Sequence, residues 1–550
     1  MRLLGAVLLV ALQDAGATDV DLIFVNGTIY TQDPAMPKAE ALAVKNGVIV
    51  KVGDVRGLKG RTIDLGGATV VPGLVDAHGH VSNLGGLLKR IDLRDTKSYD
   101  EVIARVAERA KSAKPGEWIT GRGWNQENWK DSALPTHDKL SAVTPNNPVW
   151  LARVDGHAGL ANKKALQMAG ITSESANPKG GEVLKDKNGE PTGVLVDHAM
   201  SYMTGVLPGA TRESVKEQIL DAQEACLKAG LTEVHDAGCN GEYIRAYEEL
   251  ARDGKLKMRF YVMINGSADW IIDYISNHPI RVGKGSNLLT IRAIKMMADG
   301  ALGSRGAMLL QPYEDRPTDD NGNPYHGLET LDRNALQRVG IEALKRGWQL
   351  CVHAIGDRGN REVLDQFEAA LAQVPVKDHR FRVEHAQITH PDDIRRFAKL
   401  GVVASMQPTH ATSDMWMAEK RLGMKRLDGA YAWQKFLKSG AVVASGSDFP
   451  VESEKPLWGL YAAITRQDHD GKPEGGWLPH ERLSPAEALF SFTEACAYAG
   501  FSESWKGRLS TGRAADFVVL SKDVLACDPK DLLKAEVLYT VVDGKIAHRK

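Results

Sequence analysis

At 550 residues the chain is too long for one ordinary domain, and a large barrel with insertions beside a small companion domain accounts for its length. Its 69 basic and 70 acidic residues balance, which leaves no nucleic-acid footprint and no acidic tail, so the expected partner is a small molecule. Five widely spaced cysteines, an odd number, exclude a disulfide-dense scaffold or a CxxC zinc cluster and allow at most one or two bridges.

The chain opens with Met1-Arg-Leu-Leu-Gly-Ala-Val-Leu-Leu-Val-Ala-Leu12, one positive charge and then an apolar stretch, followed by the small-x-small site Ala15-Gly16-Ala17. This pattern predicts a signal peptide over residues 1–17 and an exported protein, with an N-terminal helix of a cytoplasmic enzyme as the alternative. No later run of about 18 apolar residues follows, so the mature chain is expected to stay out of the membrane. Short β-rich runs come next, Asp21–Tyr30, Ala43–Gly53 and Thr62–Val71, with Asn-Gly turns. Ala515–Ser521 and Val537–Ala547 repeat the style at the other end. The two ends therefore predict one small β-sandwich, residues 18–72 with 505–550, flanking a central domain of residues 73–504.

That central domain begins at Val71-Pro-Gly-Leu-Val-Asp-Ala-His-Gly-His80. On an extended strand, side chains two apart share a face, so His78 and His80 can meet one cation. Residues 82–215, with helical segments such as Tyr99–Ala110, read as an inserted subdomain that roofs the site. Apolar, β-branched runs then recur at 231–236, 259–264, 290–297, 348–354, 380–385, 401–407 and 441–447, separated in the later half by amphipathic segments such as Arg361–Ala372 and Asp392–Leu400. With the opening strand this predicts a (β/α)8 TIM barrel, whose active residues belong at the C-terminal ends of its strands. Lys295, His353, His385 and Asp448 all fall at or near such ends. A Gly/Pro/Asp-rich stretch from Asp299 to Gly327 follows the run that carries Lys295 and is expected to be a lid.

These residues resemble a known family, the amidohydrolase superfamily and within it the amidohydrolase-3 group of YtcJ-like metal-dependent hydrolases. The resemblance rests on the order of the His78/His80 motif, Gly121-Arg-Gly-Trp124, Asp155-Gly-His157, Lys295 with Asp299-Gly-Ala-Leu-Gly-Ser-Arg305, Glu384-His385, Gly446-Ser-Asp448 and the two-ended sandwich. It implies hydrolysis of an amide-like C–N bond, N-acyl or N-formyl, of a small molecule by metal-activated hydroxide. By the same resemblance His78, His80, His353, His385 and Asp448 are metal ligands, and Lys295 is a carboxylated, bridging lysine.

Imidazole and carboxylate suit Zn²⁺ by default, with Mn²⁺, Fe²⁺ and Ni²⁺ compatible, and the ligand set is large enough for two ions. Asp448 is the candidate base; a turn cap is its other reading. His157 is a candidate for substrate binding or a loop histidine, and Trp124 a pocket wall or plain core. His235 faces the barrel mouth in principle, and no role is assigned to His326 or His410. The competing functions are a catalytically silent barrel relative that binds a small molecule or regulatory partner, and a hydrolase or isomerase of a different bond. The export reading expects N-terminal sequencing of protein from its native host to begin after Ala17; a full-length chain starting at Met1 would contradict it.

Overall fold

The computed structural model describes residues 19–550 apart from 95, 127–128, 132, 154–157, 179–180, 210, 304, 320 and 329–331. The expected signal segment and His157 lie outside the described residues. The chain divides into two compact units, residues 1–81 with 223–550, and residues 82–222.

In the first unit eight strands form one sheet in chain order: Leu74–Gly79, Leu231–Cys239, Arg259–Ile264, Leu289–Met297, Gln349–Ala354, Arg382–His385, Val403–Met406 and Val443–Ser445. Each pairs in parallel with the next, giving the nearly closed barrel expected of strand-helix alternation. Every side chain of Arg259–Ile264 is buried, as a parallel strand covered on both faces requires, and this is why such strands read as unbroken apolar runs. Helices Arg333–Arg346 and Pro391–Leu400 end on Gly347 and Gly401 at φ 71° and 73°, and the chain turns from each into the next strand.

The seam between the first and eighth strands closes at the mouth. The Asp448 N–H donates to the His78 carbonyl at 2.7 Å and the His80 N–H to the Phe449 carbonyl at 2.8 Å. The Ser447 hydroxyl donates to the buried Asp76 carboxylate at 2.6 Å.

Both termini build the companion domain. A four-stranded sheet from residues 19–64 and a six-stranded sheet that mixes Thr28–Tyr30, Lys38–Ala39 and Thr69–Pro72 with Phe517–Leu520, Val537–Val542 and Lys545–Arg549 enclose one core. Phe24 meets Phe517 edge-on inside it, with ring centroids 5.0 Å apart. Arg259 of the third barrel strand forms a buried bidentate pair with Asp516, just before the strand Phe517–Leu520, at 2.6 and 3.0 Å.

The second unit contains the expected helix Tyr99–Ala110 and also a six-stranded sheet that the sequence reading did not anticipate. Its strands are short, and several contain glycine, as in Ile119-Thr-Gly-Arg-Gly-Trp124, so they carry no long apolar run. The Asp299–Gly327 stretch is anchored more firmly than a free lid. Ala307, Met308, Leu309 and Tyr313 are buried, and Asp299 accepts the N–H groups of Met308, Ile355 and Gly356. All five cysteines are free. Among the described residues no helix is long and apolar enough to cross a membrane.

Removing one partner of a buried ion pair leaves an uncompensated charge, so Arg259→Met is expected to cost about 3–5 kcal/mol in urea unfolding. The double variant Arg259→Met/Asp516→Leu should recover part of that loss. An unchanged midpoint in the single variant would show that the pair does not fasten the barrel to the sandwich.

Candidate metal centre

The candidate site forms where the barrel strands end. His78 lies fully buried on the first strand, and His80 follows it with a partly exposed ring. Gly79 separates them because a Cβ there would stand 2.5 Å from the Phe449 ring, and a Cβ at Gly446 would stand 2.6 Å from both Asp76 Oδ1 and the His78 nitrogen. The His-Gly-His and Gly-Ser-Asp motifs are thus two halves of one close approach. His385 and Asp448 have φ of 76° and 61°, a left-handed conformation that costs non-glycine residues about 1–3 kcal/mol each and persists only where surrounding structure enforces it.

Asp448 is the hub. Its Oδ1 lies 3.0 Å from His80 Nε2 and 3.6 Å from His78 Nε2, and its Oδ2 lies 3.7 Å from His410 Nε2. Two potential ligand groups share it, His78–His80–Asp448 and His385–His410–Asp448, with the donor atoms of each group within 4.8 Å of one another. Lys295 Nζ is 3.1 Å from His78 Nε2, and the His353 and His385 rings are 4.6 Å apart. His78, His80, Lys295, His353, His385 and Asp448 all line one cavity of about 530 Å³.

The imidazole tautomers follow from their outer partners. His78 Nδ1 is 2.5 Å from a carboxylate oxygen of Glu384, an acceptor only, so Nδ1 carries the hydrogen and Nε2 offers a lone pair to the cavity. His385 Nδ1 likewise donates to Gln407 Oε1 at 2.7 Å. Glu384 is held in turn by the fully buried Arg382, at 2.7 Å through Nε and 3.0 Å through Nη2. Arginine only donates, so His235 Nδ1, 2.9 Å from Arg382 Nη1, accepts, and its Nε2 donates to Glu233 at 3.1 Å. Glu233 then pairs with Lys506 at 2.7 Å. His235 therefore belongs to this buried chain and not to the mouth where the strand pattern placed it.

Burial, reinforced by nearby Lys295, depresses His78 to about 4 and His353 to about 3, and burial beside His353 takes His385 well below its ordinary value. The rings are neutral, the form that binds metal. Burial alone would raise the Asp448 carboxyl, but His80, His78, His385 and His410 hold it well below the usual carboxylate range. Burial also lowers Lys295.

Two of the imidazole nitrogens, Nε2 of His353 and of His410, are buried without a hydrogen-bond partner. A buried polar atom without a partner is costly, and neutral imidazoles converging on a carboxylate are the donor set of a borderline divalent ion, so these residues fit a metal. His410 is the residue that sequence reasoning missed. It sits four residues past the seventh strand, in the first turn of helix Pro408–Leu422, and its only signal was that proximity to a strand end. Trp124 lies in the core of the other unit, 1% exposed, and donates its indole N–H to the Leu151 carbonyl at 2.8 Å, so the plain-core reading describes its contacts.

The sequence profile of the Amidohydrolase family matches residues 61–548. Over 96% of its length the chain is 36% identical to "Protein LONG AFTER FAR-RED 3" of Arabidopsis thaliana, covering 91% of that protein. Over the same share it is 34% identical to "Putative amidohydrolase YtcJ" of Bacillus subtilis (strain 168), covering 99%, and 28% identical to the N-substituted formamide deformylase of Arthrobacter pascens, covering 98%. The crystal structure of an uncharacterized metal-dependent hydrolase from Pyrococcus horikoshii OT3 superposes with a TM-score of 0.76 at 28% identity, over 92% of this chain and 99% of that one. Barrel, site and relatives together define a metal-dependent hydrolase. The chain belongs to the amidohydrolase family.

Partners that orient a metal-binding imidazole typically contribute about 10–100-fold in metal affinity. Gln407→Leu, which removes the acceptor for His385, is accordingly expected to weaken zinc binding by about that factor in competition with a chromophoric chelator. Unchanged affinity would show that His385 does not need this bond to serve as a ligand.

Proposed function

We propose that the chain hydrolyses the C–N bond of a small N-acyl or N-formyl amide in the barrel-mouth cavity. The observation that carries this reading is the convergence of His78, His80, His385 and His410 on a single carboxylate, Asp448. The N-substituted formamide deformylase from Arthrobacter pascens, 28% identical over 96% of this chain, supports the choice of bond. His78, His80, His353, His385 and Asp448 would hold a divalent metal, zinc by default and two ions in number. To these we add His410, and Lys295 in carboxylated form as the bridge. Held there, a divalent ion supplies Lewis acidity, lowering the pKa of water to about 7 and polarising a carbonyl.

The remaining work falls to this chain's own groups. Asp448, kept ionised by the imidazoles around it, takes the proton of the attacking water on its carboxylate and delivers it to the departing amine nitrogen. Glu384 and Gln407, by accepting from Nδ1 of His78 and His385, keep both Nε2 lone pairs turned into the cavity. A carboxylated Lys295 removes the ammonium that would otherwise stand 3.1 Å from His78 and repel any nearby cation.

N-substituted formamides, N-acyl amino acids and cyclic amides offered to zinc-loaded protein are expected to release amine and acid from at least one class. Asp448→Asn keeps the shape but removes the base, and should lower turnover by about 10²–10⁴-fold with the fold intact by circular dichroism. Near-normal turnover in that variant would return Asp448 to a structural turn residue.

A further inference from the structure

The cavity carries two carboxylates that the hydrolytic reading does not use, Asp414 and Glu452. Asp414 lies on helix Pro408–Leu422, and its Oδ2 accepts from the Tyr431 hydroxyl at 2.8 Å and from Gln387 Nε2 at 3.1 Å. Glu452 Oε1 accepts from the Ser413 hydroxyl at 2.6 Å, which ties its loop to the same helix. Both side chains are thus positioned by neutral donors, and neither pairs with a lysine or arginine among the described residues. The only Lys or Arg among the described residues lining this cavity is Lys295, which sits against His78.

His410, four residues before Asp414 on the same helix, lines the cavity and belongs to the metal centre described above, so Asp414 stands one helical turn from that centre. Beyond the polar side chains of Asn265 and Gln387, much of the remaining wall is apolar. Met297 and Val451 are 56% and 69% exposed, and Leu302 and Met417 line the same space. An apolar stem with a positive end matches this wall, whereas a carboxylate-bearing substrate would meet two like charges.

We infer that the cavity selects amides whose amine or acyl portion carries an ammonium or guanidinium group, joined through a short apolar chain and bound by Asp414 and Glu452. This rests on the amide reading above, and its test keeps the two apart. Zinc-loaded protein is offered three matched formamides: N-formyl-1,4-diaminobutane, N-formylpentylamine and N-formyl-5-aminopentanoate. Charge-assisted hydrogen bonds of this kind correspond to about tenfold or more, so kcat/KM is expected to fall by about that factor from cation to neutral and again to anion. The cation-to-neutral ratio should itself drop about tenfold in Asp414→Asn and in Glu452→Gln, each checked for fold by circular dichroism.

A ratio within about threefold of unity in the wild type, or one unmoved in both variants, overturns the inference. If no formamide is cleaved, calorimetric titration of the same protein with pentylammonium and with 1-pentanol decides the matter. Preferential binding of the ammonium that is lost in both variants upholds the cation subsite and discards the amide reading, and equal or absent binding discards the subsite.

Discussion

Arg382 and Glu384 are both wholly shielded from water, and charges in that position persist only when each neutralises the other with good geometry. The opposite charges approach to 2.7 Å between Nε and Oε1, Nη2 donates to the other Glu384 oxygen at 3.0 Å, and further bonds of both groups run outward. Glu384 turns its second oxygen to His78 Nδ1, and Arg382 reaches the Ala77 carbonyl and the Ser405 hydroxyl, stitching the first, sixth and seventh strands together. The orientation of His78 is therefore a consequence of how the barrel interior satisfies its charges. Loss of either charge would leave the other buried and unpaired, so the element that fixes the tautomer is also one the fold cannot spare.

The second constraint is the seam. A barrel must bring its last strand back to its first, and here the contact is so close that Gly79 and Gly446 are required and Asp76 must receive both the hydroxyl and the N–H of Ser447. This closure delivers Asp448 to His78 and His80, in a left-handed conformation held by its N–H bond to the His78 carbonyl. The strain at Asp448 and His385 falls on groups that face the cavity, a common place for a fold to store it.

Much of the barrel was legible because strands buried on both faces read as continuous apolar runs, and each expected run falls on an observed strand. The candidate residues followed because side chains at strand ends converge when such a sheet closes. Other features were invisible for definable reasons. Glu384 and His78 are separated by 306 positions, and nothing local distinguishes an inward carboxylate from an outward one. His410 stands on a helix beyond its strand, and the short strands of the inserted unit, several of them containing glycine, offer too few residues for a period to show. Trp124 shows the converse, because a tryptophan in a family-like motif is by its contacts part of a core.

The central claim is that the histidines and Asp448 at the barrel mouth are a metal centre bridged through Lys295. It is tested most directly by a crystal structure of zinc-loaded protein, with anomalous difference maps collected on both sides of the zinc edge. Two peaks are expected within the cluster, each about 2.0–2.2 Å from imidazole nitrogen or carboxylate oxygen, with density for a carboxylate on Lys295 Nζ between them. A single peak beside a bare Lys295 amine would contradict the bridge, and no peak among these residues in protein that hydrolyses its substrate would contradict the metal centre itself.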